Sequence, residues 1–95
     1  MTPQETIDTL SDIMGEDITA RRRTARICNA RNVAAYLLHA DGLSQIRIGH
    51  VLNRDRITAR HALIIAGTAI EHPAMYPDFH NLLAAFRQRA QLQTI

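Results

Sequence analysis

Apolar residues along this chain recur at three- and four-residue intervals and hardly anywhere alternate, so the pattern predicts helices and no strands. Ile7, Leu10, Ile13 and Met14 share one face of a first helix. Thr2-Pro3-Gln4-Glu5 opens it, with Thr2 as N-cap, Pro3 at the first helical position and Glu5 closing a capping box, and Gly15 ends it. Asp17-Ile18-Thr19-Ala20 predicts a short second helix running into Arg21-Arg22-Arg23. A third is expected over 29–40, with Val33, Ala34, Leu37 and Leu38 inward and a stop at Asp41-Gly42. Ser44 caps a fourth over 44–52 that carries Ile46, Ile48 and Val51.

Asn53 marks a turn, and Asp55 stands where an N-cap belongs. A fifth helix follows over 55–72, burying Ala59, Ala62, Leu63, Ala66 and Ile70 and ending before Pro73. A sixth runs over 78–93 with Phe79, Leu82, Leu83 and Phe86 inward. The predicted fold is all-α: about six helices in one domain spanning 1–95, since a chain of this length has no room for two cores.

Composition narrows the class. Hydrophobic residues make up 46% of the chain, which is globular rather than disordered. The longest apolar run, 62–67, is too short to cross a bilayer, and no charged segment precedes an apolar one at Met1. A cytoplasmic, nucleoid-associated protein without membrane contact is expected. The lone Cys28 has no internal disulfide partner and reads as a small buried hydrophobe in a reducing compartment.

The net charge of +2 hides a segregation. Residues 1–20 carry five acidic residues and no basic one, whereas residues 21–60 carry nine arginines against two aspartates. All eleven basic residues are arginine, whose planar multi-donor group suits phosphate and guanine edges. The acidic first helix (Glu5, Asp8, Asp12, Glu16, Asp17) is a solvated face or, alternatively, a docking surface for a protein partner.

Placement gives these arginines a role. A helix over 44–52, a tight turn and a helix over 55–72 have the proportions of a helix-turn-helix, in which the start of the second helix meets base edges in the major groove. With the 59/62/63/66/70 stripe turned inward, Arg56 and Arg60 lie on the other side one turn apart, with Ile57 and Thr58 beside them.

The segment "LSQIRIGHVLNRDRITARHA" resembles the C-terminal DNA-binding domain of the bacterial replication initiator DnaA, a helix-turn-helix domain of Trp-repressor-like type. Leu43-Ser44, Ile48-Gly49, Arg54-Asp55, Thr58 and His61-Ala62 stand in register with that family's pattern, and Arg22-Arg23 lies eight residues before Arg31-Asn32, as its basic loop lies before its long helix. The resemblance implies double-stranded DNA as partner. It implies Arg23 in the minor groove, where a narrow A·T-rich groove attracts a guanidinium. It places Asp55, Arg56, Ile57 and Thr58 in the major groove, joined there by Arg60. It implies phosphate contacts for Arg22, Arg31, Asn32, Ser44, Gln45, Arg54 and His61.

The departures matter too. Arg56-Ile57 replaces the family's His-Thr, favouring a guanine edge and a thymine methyl, and Asn53 replaces two glycines in a shorter turn. Docking mode is expected to transfer; sequence preference is not. No Gly-x-x-x-x-Gly-Lys-Ser/Thr loop occurs, so no nucleotide is expected. The implied function is therefore transcriptional regulation, as in stand-alone domains of this kind that control phage-like or gene transfer agent clusters. A DNA-binding fragment of a replication initiator, or an interaction module that has lost DNA binding, are the alternatives. His39, His50, His61 and His72 recur every eleven residues but fall on different helices or ends, so no metal site is expected. No catalytic arrangement and no cofactor motif is found, and the chain is read as a non-enzyme.

Overall fold

A computed structural model describes residues 1–21 and 23–93 of the chain. Among them lie five α-helices: α1 (Pro3–Met14), α2 (Ala25–Ala40), α3 (Gln45–Leu52), α4 (Arg56–Glu71) and α5 (Pro77–Gln93). One 3-10 turn, Pro73–Met75, links the last two, and no strand is present among the described residues. Arg22, an expected phosphate contact, lies outside the described residues.

The starts of four helices follow from capping chemistry. Thr2 makes both halves of its box, with the Glu5 amide donating to its hydroxyl at 3.2 Å and its own amide donating to Glu5 Oε1 at 3.1 Å. Thr24 caps α2 by accepting from Ile27 N at 3.2 Å, so this helix begins at Ala25, earlier than the apolar spacing indicates. Ser44 caps α3 and Asp55 caps α4.

The expected second helix over 17–23 does not form, which corrects the count of six. Asp17 Oδ1 accepts from Thr19 N at 2.9 Å and from the Thr19 hydroxyl at 2.7 Å. Such a bond can open a helix, but here the carbonyls of Ile18, Thr19 and Ala20 are directed to the Arg31 and Arg54 side chains and the helix is not continued. The segment is still anchored, because Ile18 is fully buried and its amide donates to Ser11 Oγ at 3.2 Å.

The core centres on α2, which touches α1, α3, α4 and α5. Ile27, Ala30, Val33, Ala34, Ala35 and Leu38 are all fully buried along it. Phe79 of α5 meets Tyr36 of α2 edge-on, ring centres 6.0 Å apart. His80 Nε2 lies 2.8 Å from the Ala69 carbonyl and ties α5 to α4.

The inward stripe expected on α4 holds at Ala59, Ala62 and Ala66, with Leu63 partly buried against the core, and α4 needs a correction only at its end. Its buried residues are Ala59, Ala62, Ala66 and Ala69, whereas Ile70, expected inside, is 39% exposed. Four alanines leave no bulk between backbones, so α4 lies close against α2. A stripe of small residues achieves this where isoleucine would hold the helices apart.

The approach of α3 to α4 is tighter still. A Cβ built on Gly49 would lie 2.8 Å from the Arg54 carbonyl oxygen and 3.2 Å from that of Asp55. Gly49→Ala should therefore lower stability by about 1–3 kcal/mol, overpacking outweighing alanine's better helix propensity. Urea unfolding tests this: the midpoint falls with the slope unchanged, and an unmoved midpoint would mean the two helices separate at no cost.

Candidate nucleic-acid interface

The connection from α3 to α4 is Asn53, Arg54 and Asp55. Asn53 adopts the left-handed conformation, φ 57 and ψ 45, that asparagine tolerates better than most residues. It ends α3 with its amide donating to His50 O at 3.2 Å, while the Arg54 amide donates to Gly49 O at 2.8 Å. Asp55 then opens α4, its Oδ1 accepting from Thr58 N at 2.7 Å. That N–H, followed by the Thr58 hydroxyl, holds the Asp55 carboxyl below its usual range. Asp55 is thus a cap as well as an expected base-reading residue, and one of its oxygens is occupied.

Arg56, Thr58, Arg60 and His61 are exposed on the first half of α4, and Ile57 is 67% exposed. An isoleucine this exposed at a helix start, flanked by arginines and backed by the buried Ala59 and Ala62, is an apolar contact surface presented to solvent. The Asp55 carboxylate caps the first turn, so the positive charge there comes from the Arg56 and Arg60 side chains.

Beside α4 lies an open groove of about 300 Å³ between the loop, the start of α2 and the connection. Arg23, Arg31, Asn32, Arg54, Thr58 and His61 all line it. These six candidates, scattered over 39 positions of sequence, are brought to one place. Ser44, Gln45, Asp55, Arg56, Ile57 and Arg60 do not line it; Ser44 and Gln45 are exposed at the start of α3, where Ser44 Oγ accepts from Arg47 N at 3.3 Å.

The groove's apolar floor was missed by sequence reasoning. Leu52, Ala62 and Ile65 contribute to it, with Cys28, which is exposed there and not buried as expected. A signal existed: Cys28, Arg31 and Asn32 lie three and four residues apart, hence on one side of a helix.

Arg31 requires a correction. It is 6% exposed, and its Nε donates to Ile18 O at 2.8 Å while Nη2 donates to Ala20 O. Its donors face inward, so it is a structural tie before it is a phosphate contact. Burial, and then the neighbouring Arg54, pull its pKa below the usual arginine range. Arg54 is half-buried and similarly engaged: Nη1 donates to Asn53 O at 2.7 Å and Thr19 O at 3.3 Å, and Nη2 donates to Ala20 O.

No family model, curated protein or solved structure matches the chain. The resemblance drawn above therefore stands on the quoted residues alone.

Elsewhere the acidic face of α1 borders a shallow hollow of about 620 Å³ lined by Asp8, Asp12, Glu16 and Asp17 among others. Its charges have partners within the chain. Arg26 Nη1 pairs with Glu16 at 2.8 Å, Arg89 lies 3.8 Å from Asp12, and Gln4 donates to Asp8 at 2.9 Å. Among the described residues no group of three His, Cys, Asp or Glu side chains is placed to hold a metal, and no helix is long and apolar enough to cross a membrane.

The contrast between the inward and outward arginines is measurable. Arg31→Met leaves the Ile18 carbonyl without its donor and the Ala20 carbonyl with Arg54 alone, and should cost about 1–3 kcal/mol. Arg56→Ala should leave stability within about 0.5 kcal/mol. Thermal melting of both variants decides, and equal melting would show that Arg31 is not a structural tie.

Proposed function

We propose that this protein is a double-stranded DNA-binding module of the helix-turn-helix type, acting as a transcriptional regulator. In this reading α3 and α4 are the two helices of the motif and α4 enters the major groove. Arg56, Ile57, Thr58 and Arg60 meet base edges, with the guanidiniums suited to guanine and Ile57 to a thymine methyl. Arg23, on the loop before α2, reaches the adjacent minor groove. Asn32 and His61, with Ser44 and Gln45 at the start of α3, face the phosphate backbone.

The observation that carries this reading is the convergence of Arg23, Asn32, Arg54, Thr58 and His61 on one groove beside the exposed, arginine-tipped start of α4. A solvated arginine face would need no such gathering from three separate segments.

Selection of bound duplexes from a random pool, followed by gel-shift titration, tests the proposal. Affinity should fall steeply with salt, as phosphate-bound counterions are released. No shift at low salt with micromolar protein would overturn it. On the selected site Arg56→Ala should weaken binding by about 1–3 kcal/mol and relax preference mainly at one base pair. Equal losses on selected and random DNA would instead place Arg56 on a phosphate.

A further inference from the structure

Three consecutive backbone carbonyls, those of Ile18, Thr19 and Ala20, all accept hydrogen bonds from just two guanidiniums. Arg31 Nε donates to Ile18 O at 2.8 Å, Arg54 Nη1 to Thr19 O at 3.3 Å, and both Nη2 groups to Ala20 O. The two arginines come from different places. Arg31 is set in the middle of the core helix α2, whereas Arg54 immediately precedes Asp55, the cap of α4. The segment they hold has one fully buried apolar anchor, Ile18, and leads directly into exposed Arg21 and Arg23.

We propose that Arg54 is a positioning residue that, with Arg31, locks the 18–20 segment to the first turn of α4, so that Arg23 and the α4 start present themselves as one rigid surface at fixed spacing. The inference rests on the DNA-binding reading above and adds to it a coupling: the loop's contact with one groove and the helix's contact with the other are not independent. The fork of a guanidinium is needed for this. Arg54 reaches two loop carbonyls and the Asn53 carbonyl at once, which the single ammonium of lysine reproduces only in part. The backbone behind Arg54 is rigid in its turn, because its amide is held by Gly49 O at 2.8 Å and its carbonyl is where a Cβ on Gly49 would collide.

Arg54→Met, which keeps the length of the side chain and removes its donors, tests the proposal in two ways. The first needs no DNA. Amide hydrogen exchange at Ile18, Thr19 and Ala20 should accelerate on the order of tenfold, while amides of α1 and α5 keep their rates. The second is a double-mutant cycle with Arg23→Ala on sites whose flank is A·T or G·C. Alone, Arg23→Ala should lose affinity mainly on the A·T flank. In the Arg54→Met background that loss should shrink on the order of threefold or more, because the loop no longer holds Arg23 in place.

Unchanged exchange at 18–20 overturns the lock. Additive losses, with the log K against log salt slope reduced by about 0.9, also overturn it and make Arg54 a plain phosphate contact. If the unaltered chain binds no duplex, the DNA reading and the coupling fail together, while the exchange rates still decide the lock. Should Arg54→Met melt below the assay temperature, Arg54→Lys, which keeps one donor, is expected to give intermediate exchange and an intermediate loss. Exchange equal to that of the unaltered chain would then overturn the proposal.

Discussion

Two arginine side chains and three backbone carbonyls form the joint on which the arrangement of this protein's surface depends. Carbonyl dipoles, rather than carboxylates, receive the guanidiniums of Arg31 and Arg54 in the bonds that hold the 18–20 segment. Dipoles satisfy the donors without cancelling the charge. The groove they line consequently keeps its positive character while the loop beside it is held in place. Carboxylate partners would have neutralised the surface they were holding.

Close backbone packing is the second constraint. Four alanines on the inner side of α4 and Gly49 on α3 draw three helices together without bulky side chains between them. This moves larger apolar residues outward. Ile57 and Ile64 are more than half exposed on α4, at 67% and 56%, in a chain that has few aromatic residues to bury. The large side chains of the core come instead from α1, α2, α3 and α5 and from Ile18, which leaves α4 free to present a mixed cationic and apolar outer face.

Charge segregation along the chain becomes charge segregation in space. The acids of the first twenty residues are partly taken up by Arg26 and Arg89, whereas Arg56 and Arg60 are exposed on α4 and Arg31 and Arg54 turn toward the 18–20 carbonyls. A nearly neutral total is therefore compatible with a locally cationic surface, which is what governs encounter with a polyanion.

Helix class, the starts of α1, α3 and α4, and the inward set of α5 were legible in residue order, because capping and apolar spacing are local and each involves residues within four positions of one another. The exposure of Arg56, Ile57, Thr58 and Arg60 was legible for the same reason, since they lie off the inward stripe of one helix. What residue order did not determine was anything decided by a distant neighbour. Arg31 reads as one more exposed arginine until Ile18 and Ala20 are placed beside it, and Cys28 reads as core until the groove opens on that side of α2. The end of α4 is the same case: Ile70 outranks Ala69 in hydrophobicity, yet Ala69 is fully buried and Ile70 is 39% exposed, so tertiary packing overrode the local preference. The second helix failed because Arg31 and Arg54, distant in sequence, engage the Ile18, Thr19 and Ala20 carbonyls. Spacing within a helix is a property of the sequence; which side chain finds a backbone carbonyl 34 residues away is a property of the fold alone.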